Sequence, residues 1–355
     1  MRIAVTGATG NVGTAVVRAL RERGHEVIGL ARRPPRPLTG SPPTYAGVEW
    51  HSVDLTRPPG SVLRRAFRGA DAVAHLAWGF QPTRDEAYLE RLGVGGTREV
   101  LAAAADAGVR QVVHQSSMGA YSAGTGAVDE SYPTGGIPSS AYSRHKVAAE
   151  RLLDTFHDEH PQVVLTRMRP VLIGQRAAAS GMLRYVLPAV VPASAIRLAK
   201  IVPLDRDLRL QLVHADDVAD AYVRAIETRT GGPFNLAAPP VITPPDIAEV
   251  LGARHVHLPF KVLRAAADAS WRLHLQSVDA GWLDMAWQLP QLDAQRAAVH
   301  LGWQPRRDGL AVLRELVAGI RENAHGDTAV LRRRSVAEGV AKALTGHSGA
   351  RRERP

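Results

Sequence analysis

Tyr142 and Lys146 stand four residues apart in the segment Tyr142-Ser143-Arg144-His145-Lys146. On a helix that spacing places phenol and ammonium on one face. A free tyrosine ionises near pH ~10, too high for a base at neutral pH. A neighbouring ammonium favours the phenolate and lowers that value. Such a pair can pass a proton to or from a substrate oxygen. Ser116-Ser117 follows the apolar run Gln111–Gln115, and a serine at a strand end can hydrogen-bond and orient the same oxygen. Ser117, Tyr142 and Lys146 are therefore the candidate catalytic set.

A second constellation lies at residues 6–13, Thr-Gly-Ala-Thr-Gly-Asn-Val-Gly. It follows the strand-like Arg2–Thr6 and opens a helical pattern, the setting a dinucleotide turn requires. Gly7 permits the tight turn, Gly10 lets backbone approach a pyrophosphate, and Gly13 allows helix to pack on sheet. Thr9, Asn11 and Val12 complete the turn, and the helix start offers free N–H groups and a positive dipole end. The next strand ends Leu30-Ala31-Arg32-Arg33. The acid that would bind a ribose 2′-hydroxyl is missing, and two guanidiniums suit a 2′-phosphate. NADP is favoured and NAD remains possible. Asp54-Leu55 stands where it could meet the adenine ring. With a nicotinamide present, Lys146 can also hold its ribose while Tyr142 exchanges the proton.

These residues need elements to position them. The first half alternates strand-like and helix-like segments, the pattern of an α/β doubly wound parallel sheet. Strands are expected at Arg2–Thr6, His25–Ala31, Val48–Val53, Ala72–Leu76, Gln111–Gln115 and Val163–Arg167. Helices are expected at Asn11–Gly24, Val62–Phe67, Thr83–Ala107 and Tyr142–His157, with a Pro-rich loop over Pro34–Pro43. Leu210–Val213 and Pro233–Leu236 add strands, and Ala215–Glu227 reads as a helix capped by Asp216 or Asp217. Helices dominate from Thr243 to about Ile320. The division is a dinucleotide-binding domain over 1–170, a smaller, mainly helical substrate lobe over 171–322 with some strands returning to the main sheet, and a basic, disordered tail over 323–355.

Composition narrows the partners. With 45% hydrophobic and 22% charged residues the chain is of ordinary globular type, and 5% aromatics implies an aliphatic core. Zero cysteines exclude disulfides, thiolate metal sites and cysteine nucleophiles. The net charge is +10, with the seven Lys/Arg and three acids after Gly326 supplying four of it. The arginines are dispersed without an aromatic-rich binding strand, so a phosphate-bearing cofactor is expected rather than nucleic acid. No apolar stretch approaches ~18 residues, so no membrane span is expected, and Met1 runs straight into a strand, which points to a cytoplasmic protein. His214, Asp216 and Asp217 read as a strand end and helix cap, so no metal is expected. His157 and His160 lack the glutamate of a His-Glu-x-x-His helix, and no Gly-x-Ser-x-Gly is present. Trp271, Trp282 and Trp287 are core candidates, some of which could line an apolar pocket.

Together these motifs resemble the extended short-chain dehydrogenases/reductases, which include nucleotide-sugar epimerases and dehydratases, dihydroflavonol-type reductases and 3β-hydroxysteroid dehydrogenases. The resemblance spans about residues 1–320. Thr6–Gly13 matches Thr-Gly-x-x-Gly-x-x-Gly. His75-Leu76-Ala77 resembles the strand-four segment beside the cofactor, and Gly95-Gly96-Thr97 the Gly-Thr helix. Ser117 precedes Tyr142 by the family's 25 residues. Arg169-Pro170 resembles the segment near the nicotinamide, Val213–Ala219 the Val-His-x-x-Asp-Val-Ala motif, and Leu301–Pro305 the Leu-Gly-Trp-x-Pro motif. Arg32 sits where NADP-using members carry an arginine. The resemblance implies a Rossmann-type fold, cofactor contacts at Leu76, Ala77 and Pro170, and a homodimer through the 83–107 and 142–157 helices.

Two positions depart. Gly93 stands where the family carries an asparagine. Leu210 stands where nucleotide-sugar enzymes carry an arginine for the diphosphate, and Arg209 is one residue off, on the other face of its strand. The favoured reading is an NADP-dependent oxidoreductase acting on a ketone or secondary alcohol of a small apolar or secondary-metabolite substrate. A nucleotide-sugar epimerase or dehydratase holding NAD is the alternative, and a dinucleotide sensor without turnover the third.

Overall fold

The computed structural model describes residues 1–35, 45–79, 84–186, 200–273 and 278–332. The first half runs β1 (Arg2–Thr6), α1 (Asn11–Glu22), β2 (Glu26–Ala31), β3 (Glu49–Ser52), α2 (Gly60–Phe67), β4 (Ala72–His75), α3 (Glu86–Glu90), α4 (Gly96–Asp106), β5 (Gln111–Gln115), β6 (Ala127–Val128), α5 (Ala141–Glu159) and β7 (Val164–Pro170). The second half runs β8 (Leu172–Gly174), α6 (Ala179–Val186), β9 (Ile201–Leu204), β10 (Leu210–His214), α7 (Ala215–Thr228), β11 (Gly232–Leu236), β12 (Ala238–Ile242), α8 (Pro244–Leu251), β13 (Arg254–His257), α9 (Phe260–Arg272), α10 (Ala280–Gln288), β14 (Gln291–Leu292), α11 (Gln295–Leu301) and α12 (Gly309–Arg321).

Seven strands form one parallel sheet in the order β11-β7-β5-β4-β1-β2-β3. The chain leaves β1 in one direction to β2 and β3, then returns to β4 and continues the other way. The crevice where the direction switches, at the C-terminal ends of β1 and β4, is the ligand site of such sheets.

Because helices cover both faces, central strands are apolar on both sides. Ile3 and Val5 face α1 and α7, packing with Val16, Val17, Leu20, Val218 and Tyr222. Ala4 and Val112 face the other layer, with Leu63, Phe67, Val100, Leu153 and Phe156. Each large side chain fully buried this way contributes roughly 1.5–3 kcal/mol. A smaller sheet, β12-β10-β8, carries the second lobe. Trp303 is buried there, and its indole N–H donates to the Asp217 carbonyl at 2.7 Å, tying the C-terminal Leu-Gly-Trp segment to α7.

Three elements differ from the sequence expectation. The helix expected over Thr83–Ala107 runs without interruption from Glu86 to Asp106, but it is not α-helical throughout: a π-helical turn over Arg91–Gly95 joins α3 to α4. Gly93, Gly95 and Gly96 give this stretch little intrinsic helicity, and the Thr97 hydroxyl takes the Gly93 carbonyl at 2.7 Å. Helix α7 is capped by neither Asp216 nor Asp217. His214 is the cap, its ring nitrogen accepting from the Asp216 N–H at 3.0 Å, while the Asp217 carboxylate accepts from the Arg306 and Arg307 N–H groups. Residues 323–332, assigned from sequence to the tail, pack against the body, with Thr328 and Leu331 buried. Apolar Leu331 and a partner for the Thr328 hydroxyl supply what composition alone did not show. Residues 36–43 of the Pro-rich loop, Thr83, and 333–355 lie outside the described residues. Among the described residues no helix is long and apolar enough to cross a membrane.

Candidate active site

The glycine turn is forced by close backbone packing. Gly7 has φ +68°, and a Cβ on it would stand 2.7 Å from the Ala77 nitrogen. A Cβ on Gly13 would stand 2.1 Å from the Gly7 carbonyl oxygen. The Gly10 N–H donates to Gly7 O at 2.9 Å, closing the turn before α1. That helix starts with no side-chain cap and no acid in its first turn, so its N–H groups and dipole are suited to an anion. The Thr6 hydroxyl accepts from the Leu76 and Ala77 N–H groups at 3.2 and 3.3 Å, joining the β1 and β4 ends. Thr9 is buried and Val12 partly so. The Asn11 side chain serves as a tether, donating to Ile173 O at 3.2 Å and accepting from Gln175 at 2.8 Å. Gln175 was not singled out from sequence. These residues fit a dinucleotide, because the close turn that Gly7 and Gly13 allow leaves the uncapped start of α1 to offer its N–H groups to a pyrophosphate.

At the end of β2, Arg32 donates to the Tyr88 hydroxyl at 2.8 Å. Burial, then the charges of Arg32 and Arg332, lower the affinity of Arg33 for its proton. Asp54 accepts from the Thr56 N–H and hydroxyl at 3.0 and 2.7 Å. Leu55 is a core residue against Gly96, whose added Cβ would stand 3.0 Å from the Leu55 Cβ. Pro170 is buried at the end of β7.

Helix α5 begins at the Ser140 cap and carries Tyr142 to the end of β5. The Tyr142 phenol pairs with the Ser117 side chain, whose oxygen also accepts from the Gly119 N–H at 3.0 Å. Burial pushes the Tyr142 hydroxyl up to about 12, against the opposing pull of the Ser117 hydrogen bond. The spacing argument predicted the reverse, a phenol acidified by Lys146. The lysine is engaged elsewhere. Its Nζ donates to Gln115 O at 2.7 Å, lies 3.5 Å from the centroid of the Trp78 ring, and is 5.9 Å from that of Tyr142. Burial drives its proton affinity well below the ordinary value, with the charge of Glu150 opposing. Tyr142 is thus a buried phenol hydrogen-bonded to Ser117, with its proton held more tightly than in a free tyrosine.

Gly93 and Trp78 form a complementary pair. A Cβ at Gly93 would stand 2.9 Å from the Trp78 indole, so the missing side chain provides the notch in which the ring lies over Lys146. A chain of hydrogen bonds runs behind it: Thr6 to His75 at 2.7 Å, His75 to Thr97 at 3.1 Å, and Thr97 to Gly93 O. Burial and the charge of Lys146 lower His75 to about 3, so its imidazole is neutral. Gly93→Ala should cost about 1–3 kcal/mol by overpacking. Combined with Trp78→Ala it should cost less than the sum, as a double-mutant cycle of urea midpoints would measure; additive losses would separate the two residues.

Sequence reasoning missed Glu150. It sits on the α5 face of Tyr142 and Lys146, buried, and accepts from the Ser116 hydroxyl at 2.5 Å and from Arg169 at 2.9 and 3.1 Å. Arg167 reaches the same carboxylate at 3.0 Å, and Arg169 also donates to the Tyr121 hydroxyl at 3.1 Å. Four-residue steps from Tyr142 to Lys146 to Glu150 were the available signal.

The second lobe closes the site with apolar groups. A Cβ on Gly281 would stand 2.3 Å from Ser139 O, so glycine there lets α10 reach the loop before α5. Trp282 consequently lies on the Tyr142 ring, centroids 5.3 Å apart at 30°. Trp78 meets the same phenol edge-on at 6.4 Å. Trp287 packs on Phe260 at 5.0 Å, and Trp271 on the Arg84 guanidinium at 4.2 Å. Leu210 packs in the small core of the second lobe, and Arg209 donates to its own turn, to Arg206 O at 2.8 Å and Leu208 O at 2.9 Å.

A doubly wound parallel sheet with a glycine turn at its switch point and Ser, Tyr and Lys at the adjoining strand ends defines a dinucleotide-binding protein of the extended short-chain dehydrogenase/reductase type. Residues 3–237 match the NAD dependent epimerase/dehydratase family, and the chain belongs to it. An uncharacterised protein of Mycobacterium tuberculosis is 27% identical over 323 residues, covering 90% of this chain but 30% of that one, so the chain spans less than a third of that relative. A 4-hydroxy-2-methyl-3-oxo-4-farnesyl-3,4-dihydroquinoline-1-oxide ketoreductase of Stigmatella aurantiaca is 27% identical over 338 residues, covering 89% of this chain and 96% of that one. The structure of MoeE5 with UDP-glucuronic acid and NAD superimposes with a TM-score of 0.68 at 22% identity, over 91% of this chain and 99% of that one, a likeness of fold.

Proposed function

We propose that the protein is an NADP-dependent oxidoreductase that transfers hydride between its cofactor and the ketone or secondary alcohol of a small apolar substrate, with Tyr142 as general acid/base. The observation that carries this reading is the placement of the buried Tyr142 phenol, hydrogen-bonded to Ser117 beneath the face of Trp282. A carbonyl oxygen placed between Ser117 and Tyr142 receives two hydrogen bonds, and Tyr142 delivers the proton as negative charge develops. The bound nicotinamide supplies or accepts the hydride. Trp78 and Trp282 exclude water from the reacting carbon and present apolar surface to the rest of the substrate. Leu210 stands at the family's diphosphate position and Arg209 bonds to its own turn, so among the described residues neither offers a guanidinium there, which favours an apolar substrate over a nucleotide sugar. The Stigmatella relative, a ketoreductase by name, agrees in reaction type.

Arg32 and Arg33 support NADP over NAD. A guanidinium–phosphate contact contributes about 1.5–3 kcal/mol, roughly 10–100-fold in affinity. Fluorescence titration of the purified protein should therefore show NADPH binding at least about tenfold tighter than NADH, with Arg32→Ala removing most of the difference. Equal affinities would overturn the NADP assignment. A nicotinamide absorbance that survives dialysis would favour the epimerase reading, since MoeE5 holds NAD together with a UDP-sugar.

A further inference from the structure

Beyond α12 the chain does not leave the body. Asn323 adopts φ +55°, and the Ala324 N–H returns to Gly319 O at 2.7 Å, turning the chain back. The Ala324 carbonyl then accepts from the Ser180 N–H at 3.2 Å, in the first turn of α6. Residues 326–331 close a loop on themselves, Gly326 N–H to Leu331 O at 2.9 Å and Leu331 N–H to Thr328 O at 3.1 Å. Leu331 is 5% exposed, so the loop is docked and not merely compact. Its docking point is the glycine turn, where the buried Thr328 hydroxyl donates to Thr9 O at 2.8 Å. The next residue, Arg332, is close enough for its charge to act on Arg33 together with Arg32. The segment therefore runs from the second lobe, across the turn that faces the pyrophosphate, to the end of β2 where the adenosine ribose belongs.

We propose that residues 324–332 form a strap over the adenosine-phosphate half of the dinucleotide site, with Arg332 joining Arg32 and Arg33 around the 2′-phosphate. The phosphate assignment rests on the NADP reading above; the strap does not. Bound cofactor would lie beside the segment docked on the glycine turn, and the segment links the second lobe to the cofactor site without contributing to the chemistry.

The test titrates NADPH and NADH separately into the full-length protein and two full-length variants, following fluorescence, with a thermal melt of each variant as a check on the body. Leu331→Asp puts a charge into the buried anchor and expels the loop, and should weaken both dinucleotides about tenfold. Arg332→Ala removes one exposed cation, and should weaken NADPH about three- to tenfold while leaving NADH within about twofold. Unchanged binding of both dinucleotides by Leu331→Asp overturns the strap, and tighter binding makes the segment an obstruction instead. If Leu331→Asp does not fold, Arg332→Ala decides, an unchanged NADPH affinity overturning the proposal. If the unmodified protein binds NADH as well as NADPH, the NADP reading has failed by itself. The strap is then judged on the loss of NADH affinity in Leu331→Asp.

Discussion

Tyr142→Phe should lower turnover by about 10²–10⁴-fold and leave dinucleotide binding unchanged. The substitution deletes one hydroxyl and keeps the ring, so the stack under Trp282 and the edge contact with Trp78 persist. What is lost is the proton that the Ser117-held phenol would deliver. The pH dependence follows from the direction of the shift. Burial raises the phenol to about 12, so the protonated form needed to reduce a ketone is fully populated through neutral and mildly alkaline pH. Reduction should be flat there. Alcohol oxidation needs the phenolate, about 10⁻⁵ of the total at pH 7, and should rise about tenfold per pH unit. Rates in both directions from pH 6 to 10, for the protein and the variant, check this. A variant that keeps its activity would remove Tyr142 from the mechanism. Ser117→Ala should cost less, because it weakens orientation of the oxygen and leaves the proton in place.

The parts of this site that were legible in the sequence are those built from local spacing. A glycine turn is a strand, four residues and a helix; Tyr142 and Lys146 are one helical turn apart. What those residues do to each other was less legible. Lys146 was expected to acidify Tyr142, and it turns to Gln115 O and the Trp78 ring, because β5 and β4 bring those groups nearer than the phenol. Gly93 was visible as a departure, but its partner Trp78 was not, since the notch and the ring that fills it lie on different elements. The 83–107 stretch shows apolar periodicity throughout, and periodicity does not reveal that Thr97 would capture the Gly93 carbonyl and widen the helix. The tail was judged by composition, which weighs many arginines and glycines against few large apolar residues. Leu331 is nonetheless buried, and the Thr328 hydroxyl that donates to Thr9 O anchors the same short loop.

Glu150→Gln should destabilise the protein by about 3–5 kcal/mol at neutral pH, the range for breaking a buried ion pair by removing one charge. Glu150 and Arg169 are 1% and 4% exposed, and two nitrogens of the guanidinium meet two oxygens of the carboxylate. The amide leaves Arg169 charged and buried, still tied to the Tyr121 hydroxyl. Because folding free energies are typically only about 5–15 kcal/mol, this is a large fraction of the total. The same pair makes the protein acid-sensitive. Burial alone would raise the Glu150 carboxyl, but hydrogen bonds from Arg169 and its charge, with Ser116 and Arg167, hold it at about 2. A carboxyl depressed in the folded state stabilises above its unfolded value and loses that stabilisation as pH falls through the folded one. The window is therefore from about pH 4.5 down to about pH 2, and the amount is about 3 kcal/mol. Urea unfolding at pH 7 and at intervals down to pH 2 should show this loss in the unmodified protein and its absence in Glu150→Gln, superimposed on the protonation of other carboxylates. Parallel pH profiles for the two would sink the argument. Replacing both partners, Glu150→Leu with Arg169→Met, should recover much of the stability, since apolar groups of similar volume leave no unpaired charge. That double variant would still disturb the site, because Ser116 donates to Glu150 at 2.5 Å and precedes Ser117 directly. Turnover should therefore stay depressed after stability returns, which separates the network's part in holding the fold from its part in aiming the strand end at Tyr142.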